Sequence, residues 1–315
     1  MRVALLDDYQ SVALSCADWG SLPDSEVHAY SEHLNDEGAV AERLREYDAV
    51  VLMRERTPFR RSLIERMPNL RLIVTTGARN AAIDVAAARE RGIVVCGTRG
   101  LNYPTAELTW GLILALLRRI PHEDMAVRHG AWQTTLGVGL QGKTLGVVGL
   151  GNLGGQVAAV GRAFGMQVVA WSKNLTTERA AAAGARLVTK DELLATADVV
   201  TIHLVLSDRT RGLIGARELG LMRPAAYLVN TSRGPIVDEA ALVAALTSGA
   251  IAGAGLDVFE TEPLPPGHAL LGLDNVVLTP HLGYVTREGY ELFYGDALDD
   301  VHAFVGGTPV RTIEG

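Results

Sequence analysis

Short apolar runs alternate with segments whose apolar residues recur at helical spacing along most of the chain. In the first hundred residues, the runs at 3–6, 49–53, 70–75 and 93–95 predict strands, and the segments at 39–46, 62–66 and 85–91 predict helices. Strands that are apolar throughout are typical of a parallel sheet with helices on both faces. This part of the chain is therefore predicted to be an α/β domain.

A second series of the same kind begins at residue 144, with predicted strands at 145–148, 167–171, 199–204, 227–230, 253–257 and 276–279. Between the series, residues 104–120 form an apolar segment that predicts a helix begun by Pro104 and ended by Pro121. A last helix is predicted at 287–305, and one arrangement returns it to the first series. The fold class is therefore α/β, with two doubly wound parallel-sheet domains.

The turn after the first strand of the second series reads Gly-Leu-Gly-Asn-Leu-Gly. The first glycine permits a sharp turn, the second permits the approach of a pyrophosphate, and the third lets the helix pack close to the strand. The helix N-terminus offers N–H groups and a positive dipole end to phosphates. The predicted dinucleotide-binding residues here are Gly149, Gly151, Asn152, Leu153 and Gly154; a tight turn without a ligand is the alternative.

Composition excludes several classes of partner. The chain has 315 residues, a formal net charge of −7 and no dense Lys/Arg block, so nucleic-acid binding is not expected. Cys16 and Cys96 are too few for a disulfide framework or a metal cluster, which favours a reducing cytoplasm and no metal site. Asp7 and Asp8 argue against a signal peptide, and no apolar run is long enough to span a membrane.

Three further motifs follow successive predicted strands of the second series. Arg233 lies in Asn-Thr-Ser-Arg-Gly at 230–234, Glu262 lies in the segment 257–263, and His281 lies in Pro-His-Leu-Gly at 280–283. Arginine fits a carboxylate with a planar fork of donors, histidine exchanges a proton near neutral pH, and a nearby carboxylate favours the imidazolium. The set predicts an acid–base site, although each residue alone is more often structural.

The glycine turn and these motifs together resemble the D-isomer-specific 2-hydroxyacid dehydrogenases over nearly the whole chain. The resemblance implies a Rossmann cofactor domain at 101–283 and a flavodoxin-like substrate domain at 1–100 and 284–315, with a cleft between them. It implies hydride transfer between a nicotinamide cofactor and a 2-oxo or D-2-hydroxy acid. It also implies a homodimer assembled through residues 104–120 and an arm at 132–142.

Residue roles follow from the resemblance. Arg233 would bind the substrate carboxylate and polarise the 2-oxo group, His281 would transfer the proton, and Glu262 would orient His281 and favour its protonated form. Asp257 matches a residue at the nicotinamide end of the cofactor. His203 and Thr231 are assigned to the cofactor site with it.

The first domain is expected to complete the substrate site. By resemblance, Gly77 and Ala78 would offer backbone N–H groups to the substrate carboxylate, and Arg54 would line the pocket. Arg79 would add a cation for a second carboxylate or a phosphate, or else lie on the surface as a solvated charge. Tyr284, where relatives often have a small residue, would narrow the pocket. Because Arg79 and Tyr284 depart from the pattern of the family, the sequence does not identify the particular 2-hydroxy acid.

The choice of cofactor depends on the residues after the second strand of the second series. NAD-specific folds usually place an acid about 20 residues past the glycine turn, where it accepts from ribose hydroxyls. Here Ser172 and Lys173 follow the strand, and Arg179 comes shortly after. A hydroxyl beside cations would accept a 2′-phosphate that a carboxylate would repel. NADP is therefore favoured over NAD, with use of both left open.

Two alternatives share the predicted fold. One is a non-catalytic dinucleotide sensor or corepressor, which the intact set of Arg233, Glu262 and His281 argues against. The other is a phospho-hydroxyacid dehydrogenase, in which Arg54 and Arg79 would bind the phosphate. The leading prediction is a cytoplasmic enzyme that acts on a small-molecule acid, with no nucleic-acid or membrane partner.

Overall fold

The computed structural model describes residues 1–314, and its internal contacts divide the chain into two units. One unit comprises Met1–Leu101 and the chain from Thr286 onward, and the other comprises Asn102–Val285. Among the described residues, no helix combines the length and the apolar character that crossing a membrane requires.

The first unit is built on a five-stranded sheet. Its strands are β1 (Arg2–Leu5), β2 (Glu26–Ala29), β3 (Ala49–Leu52), β4 (Leu72–Thr75) and β5 (Val94–Gly97). They pair in parallel in the order β2-β1-β3-β4-β5, which is the order of flavodoxin-like sheets. Because β3 and β4 are buried along their whole length, their sequences are apolar without alternation.

Five helices accompany this sheet: α1 (Ala13–Cys16), α2 (Glu37–Leu44), α3 (Arg61–Ile64), α4 (Val85–Glu90) and α12 (Arg287–Val305). Three of them begin at a side-chain cap, since Asp36, Asp84 and Thr286 each accept a hydrogen bond from the third residue along. Helices α2, α3 and α4 bury one apolar core with β3 and β4. The last helix, α12, packs against β4 in this unit, which is the arrangement that returns it to the first series of strands.

Strand β2 was not predicted from the sequence. Its residues, Glu-Val-His-Ala, contain no apolar run, and none of them is fully buried. The strand lies at the edge of the sheet and pairs only with β1. An edge strand gains its backbone hydrogen bonds from one neighbour and needs less apolar surface, so its sequence carries little signal.

The second unit is built on a seven-stranded parallel sheet. Its strands are β6 (Thr144–Val148), β7 (Gln167–Trp171), β8 (Arg186–Leu187), β9 (Val199–Ile202), β10 (Tyr227–Asn230), β11 (Gly253–Leu256) and β12 (Val276–Leu278). Their order is β12-β11-β10-β9-β6-β7-β8. The direction of winding reverses between β6 and β9, and ligands of such sheets bind beyond the carboxyl ends of the strands at this switch point.

Helices of the second unit cover the sheet in two apolar layers. They are α5 (Pro104–Leu117), α6 (Ile120–Arg128), α7 (Asn152–Ala163), α8 (Thr177–Ala182), α9 (Lys190–Thr196), α10 (Ala216–Leu221) and α11 (Glu239–Thr247). One core contains residues of α9, α10 and α11, and another contains residues of α5, α7 and α8. The predicted fold class, with two doubly wound parallel sheets, is confirmed.

The predicted end of the helix at 104–120 was wrong. Helix α5 stops at Leu117, and Arg119 adopts a left-handed backbone conformation with φ of 54°. Pro121 then lies in the first turn of α6 instead of ending α5. A proline lacks the N–H that the first helical turn leaves unpaired, so it starts a helix as readily as it ends one.

Candidate active site

His281 and Glu262 are in direct contact in the second unit. His281 Nδ1 lies 2.6 Å from Glu262 Oε2, and the two side chains keep 16% and 21% of their surface exposed. Glu262 Oε1 accepts a hydrogen bond of 3.0 Å from Phe259 N. Both carboxylate oxygens are therefore engaged, and the contact with Glu262 fixes which way the imidazole faces, with Nδ1 toward the glutamate and Nε2 on the opposite side of the ring.

Asp257 anchors the turn that carries His281. Its Oδ1 accepts from Thr279 Oγ1 at 2.6 Å and from Leu282 N at 2.7 Å, and its Oδ2 accepts from Gly283 N at 2.8 Å. Burial raises the pKa of the Asp257 carboxyl, against the donors that favour its ionised form. The bonds hold His281 at a φ of 56°, a backbone conformation that residues other than glycine seldom adopt.

The structural role of Asp257 was not predicted. The carboxyl group has no exposed surface, and it binds residues on both sides of His281. The predicted contact between Asp257 and the nicotinamide end of a cofactor stays a prediction.

Arg233 lies in the loop after β10, next to the loop that carries Glu262. Asn230 shapes this loop, since its Oδ1 accepts from Ser232 N and its Nδ2 donates to Arg233 O, both at 3.0 Å. A Cβ on Gly234 would lie 2.0 Å from the carbonyl of Phe259, so only glycine permits this close approach of the two loops. Arg233, Glu262 and His281 thus follow three adjacent strands, β10, β11 and β12, at one edge of the sheet.

The glycine turn after β6 has the shape that a dinucleotide requires. Gly149 has a φ of 100°, and a Cβ there would lie 2.4 Å from His203 O; a Cβ on Gly154 would lie 2.1 Å from Gly149 O. Beside Gly151 there is open space, and no side chain caps the start of α7 at Asn152. The first and third glycines therefore permit the fold, while the second leaves room in front of N–H groups that fit a phosphate.

His203 and Thr231 each make a side-chain hydrogen bond within the protein. His203 Nε2 lies 2.9 Å from Thr201 Oγ1, and the enclosed ring has its pKa lowered to about 4 by the loss of solvent. His203 Nδ1 is buried and finds no partner within residues 1–314. Thr231 Oγ1 lies 2.8 Å from Thr109 Oγ1 of α5. Their contacts with a cofactor stay predictions.

Ser172 directly follows β7, as the sequence predicted. Ser172 is half-buried, while Lys173 and Arg179 are exposed. Ser172 O accepts from Leu175 N at 3.1 Å, and Thr176 begins α8 by accepting from Arg179 N. In the part of the chain that the structure describes, neither Lys173 nor Arg179 forms an ion pair. Two cations without an ion pair in the described chain thus follow β7, and in dinucleotide-binding folds of this type the ribose is recognised after the corresponding strand.

In the first unit, the loop after β4 leaves two backbone donors unused. Gly77 N donates to Thr98 Oγ1 at 2.7 Å, so this N–H already has an acceptor within the protein. Of the two backbone donors predicted for a substrate, Gly77 and Ala78, only Ala78 keeps its N–H unused in the described chain. The N–H groups of Ala78 and Arg79 have no acceptor among the described residues, and both residues are exposed. These two groups are the donors that the loop offers to an anion.

Arg54 lies against the same loop. Its Nη1 donates to Thr76 O at 3.1 Å, and a Cβ on Gly77 would lie 1.8 Å from that nitrogen. The absence of a side chain at Gly77 therefore leaves space for the guanidinium and also permits the φ of 94°.

Tyr284 contacts His281 in the second unit. Its ring meets that of His281 edge-on, with centroids 5.6 Å apart, and its effect on pocket width stays a prediction.

Fold and site together define a dinucleotide-binding α/β oxidoreductase with an arginine, a glutamate and a histidine at one sheet edge. Residues 110–283 match the family model described as "D-isomer specific 2-hydroxyacid dehydrogenase, NAD binding domain". The chain belongs to this family. A nicotinamide cofactor and NAD(P)-linked hydride transfer on 2-oxo and 2-hydroxy acids follow from that membership.

Individual relatives differ in name and in length. A glyoxylate reductase of Aeropyrum pernix is 44% identical over 255 residues, which cover 78% of this chain and 76% of that one. A D-3-phosphoglycerate dehydrogenase of Archaeoglobus fulgidus is 42% identical over 269 residues, and the match covers 84% of this chain but 51% of the relative. The chain thus spans about half the length of that dehydrogenase.

A solved structure resembles the whole chain. The phosphoglycerate oxidoreductase of Vibrio cholerae O395 superposes with a TM-score of 0.94 at 37% sequence identity, covering 98% of this chain and 100% of that one. The likeness extends over both units, so the fold of each is that of a family member.

Proposed function

We propose that Arg233, Glu262 and His281 catalyse the reduction of a 2-oxo acid, with NADPH as the preferred cofactor. The observation that carries the proposal is the 2.6 Å contact between His281 Nδ1 and Glu262 Oε2. These two residues follow β12 and β11, and β11 pairs with β10, the strand that Arg233 follows. Because Nδ1 faces Glu262, we assign proton transfer to Nε2. When bound, the nicotinamide supplies or accepts the hydride.

In this mechanism each residue has one task. Arg233 binds the substrate carboxylate with its planar guanidinium and draws electron density from the adjacent 2-oxo group. His281 Nε2 donates a proton to the 2-oxygen during reduction and takes it back during oxidation. Glu262 holds the imidazole in place and stabilises its positive charge, so it acts with His281 as a pair.

The first unit would bind the substrate through its loop at 76–80. The unused N–H groups of Ala78 and Arg79 suit a carboxylate, and Arg54 adds a positive charge beside the loop. This assigns a substrate role to the unit with residues 1–100 and 284–315, and a dinucleotide role to the unit with residues 101–283. The domain roles are part of the proposal.

The preference for NADPH is supported by the residues after β7. Ser172 stands where an NAD-specific protein carries an acid, and Lys173 and Arg179 form no ion pair among the described residues. The 2′-phosphate would bring two negative charges to these cations, whereas the bare ribose of NADH would bring none.

We propose a small unphosphorylated 2-oxo acid as the substrate. The name of the Aeropyrum relative, which aligns over most of its length, supports this choice. A phospho-hydroxyacid is the second candidate, because Arg79 is exposed beside the two unused N–H groups and has no ion-pair partner in the described chain. Replacing Arg54 and Arg79 by Ala distinguishes the two candidate substrates. If these arginines bind a phosphate, the double variant should lose activity on phosphorylated substrates selectively, relative to unphosphorylated ones.

A homodimer is also proposed, through α6 and the segment after it. No residue of α6 is buried, and Trp132 and Leu136 are 77% and 97% exposed. Several exposed apolar side chains close together on one surface indicate that a partner covers that surface. Helix α5 buries Leu112, Ile113 and Leu116 within its own unit, so we assign the larger part of the dimer contact to α6 and the segment after it. The two free cysteines support a cytoplasmic site of action.

The experiment follows cofactor absorbance with NADPH or NADH and a panel of glyoxylate, hydroxypyruvate, pyruvate, phenylpyruvate and phosphohydroxypyruvate. Faster turnover with NADPH on an unphosphorylated acid would support the proposal. Selective use of phosphohydroxypyruvate would support the second candidate. Tight cofactor binding without turnover of any acid would favour a sensor on the same fold.

A further inference from the structure

The substrate loop, residues 76–80, is held by hydrogen bonds to two residues that lie outside it, Arg54 and Thr98. Thr76 Oγ1 accepts from Arg54 N at 2.9 Å, and Asn80 Nδ2 donates to Arg54 O at 2.7 Å. On the other side, Gly77 N donates to Thr98 Oγ1 at 2.7 Å. The conformation of the loop therefore depends on the connections after β3 and after β5.

Thr98 binds this loop with both its side chain and its main chain. Its N–H lies 3.1 Å from Thr75 O and 3.2 Å from Gly77 O, while its hydroxyl accepts from Gly77 N. The same hydroxyl donates its one proton to Arg99 O at 2.9 Å, and the residue is 1% exposed. The direction of the hydroxyl therefore depends on where the main chain of Arg99 lies.

Asp296 of α12 fixes the main chain of Arg99. Asp296 Oδ2 accepts from Arg99 N at 2.8 Å and from its Nε at 3.0 Å, and Oδ1 accepts from Nη2 at 2.7 Å. The carboxylate is 2% exposed, whereas the side chain of Arg99 is 69% exposed. Although burial opposes ionisation, the bonds from Arg99 hold the pKa of Asp296 below its usual value.

We propose that Asp296 and Thr98 are positioning residues for substrate binding. Asp296 holds Arg99, Arg99 orients the hydroxyl of Thr98, and Thr98 holds Gly77, so that the N–H groups of Ala78 and Arg79 stay available to the substrate carboxylate. The inference rests on the proposed role of the substrate loop. Neither positioning residue touches the substrate.

The first test separates binding from chemistry. Thr98→Val keeps the shape of the side chain but leaves the buried N–H of Gly77 without an acceptor, which loosens the loop. We expect the KM for the 2-oxo acid to rise about 5-fold to 100-fold, the effect of one unsatisfied buried donor. The kcat and the Kd for NADPH should change little, and Thr98→Ser, which retains the hydroxyl, should restore the KM.

The second test measures the loop directly, without turnover. Amide hydrogen exchange is followed at Gly77 in the wild type, in Thr98→Val and in Asp296→Asn. Asp299→Asn is the matched control, because Asp299 lies on the same helix and is 68% exposed. Exchange at Gly77 should quicken in the first two variants and stay unchanged in the control.

Unchanged exchange at Gly77 in Asp296→Asn would overturn the inference, as would a fall in kcat with an unaltered KM in Thr98→Val. If the wild type reduces no 2-oxo acid, the proposed function fails, while the exchange data still decide whether Asp296 and Thr98 fix the loop. Thermal unfolding of each variant shows whether it is folded, and Thr98→Ser supplies a second folded variant for comparison.

Discussion

Arg311 Nε lies 3.0 Å from Oδ1 of Asp300, a carboxylate on α12 with no exposed surface. Arg311 Nη2 also donates to Asp296 O at 2.6 Å, and Gly97 N donates to Arg311 O at 3.0 Å. The C-terminal segment thus lies along the edge strand β5 and is fixed there by a buried acid. Such a covered edge is protected from pairing with another chain.

This buried acid should make stability depend on pH. Burial raises the pKa of Asp300 to about 7, against the opposing effect of Arg311. An unfolded aspartate has a pKa of about 4, so between these values the folded state holds a proton that the unfolded state lacks. The free energy of unfolding should therefore fall as pH rises through this window, by up to about 1.4 kcal/mol per pH unit.

Asp300→Asn tests this dependence. The amide keeps an oxygen acceptor for Arg311 and cannot ionise, so the slope contributed by residue 300 should vanish, and the variant should match or exceed the wild type at pH 8. Urea unfolding at several pH values between 5 and 8 measures the slope. Asp299→Asn is the exposed control, and a slope in Asp300→Asn equal to that of the wild type would contradict the prediction.

Gly154 and Gly155 should respond in opposite ways to alanine. A Cβ on Gly154 would lie 2.1 Å from Gly149 O, so Gly154→Ala must displace α7 or the turn, and we expect a loss of stability and of cofactor binding. Gly155 has open space around that point, and alanine there should be neutral or stabilising by up to about 1 kcal/mol. Thermal unfolding and NADPH titration measure both variants.

The central strands were predicted from sequence, and so were the edge strands β5 and β12, whereas the other two edge strands, β2 and β8, were not. Strands β3, β4, β9 and β10 are buried on both faces, and their apolar runs report that burial directly. Strands β2 and β8 lie at sheet edges and carry polar residues. The break between α5 and α6 depends on the left-handed backbone conformation of Arg119. This conformation could not be predicted from the sequence, because arginine rarely adopts it.

The same division holds for the site. Arg233, Glu262 and His281 stand in motifs after strands, so their positions at one sheet edge were predictable. The residues that hold the site were not, since Arg99 and Asp296 are 197 positions apart and neither belongs to a motif. Asp257 was assigned to the cofactor from its motif, while its bonds to Leu282 and Gly283 depend on how β11 and β12 align.

His281→Ala should abolish most turnover and leave cofactor binding intact. A positioned proton donor typically contributes about 10²-fold to 10⁴-fold, so kcat should fall by that factor with an unchanged Kd for NADPH. Glu262→Gln, which retains an acceptor for His281 Nδ1 but removes the charge, should lose less. Single-turnover kinetics and cofactor titration check both variants. A near-normal kcat in His281→Ala would remove His281 from its proposed role.

Ser172→Asp should move cofactor preference from NADPH towards NADH. The new carboxylate, at the end of β7, would repel a 2′-phosphate and accept from the hydroxyls of an unmodified ribose. Because bringing like charges together costs several kcal/mol, the ratio of kcat/KM values for NADPH and NADH should fall at least about 10-fold. Ser172→Ala is the control, since it removes the hydroxyl without adding charge. An unchanged ratio in Ser172→Asp would show that residue 172 does not face the ribose, and the preference for NADPH would then have to come from Lys173 and Arg179 alone.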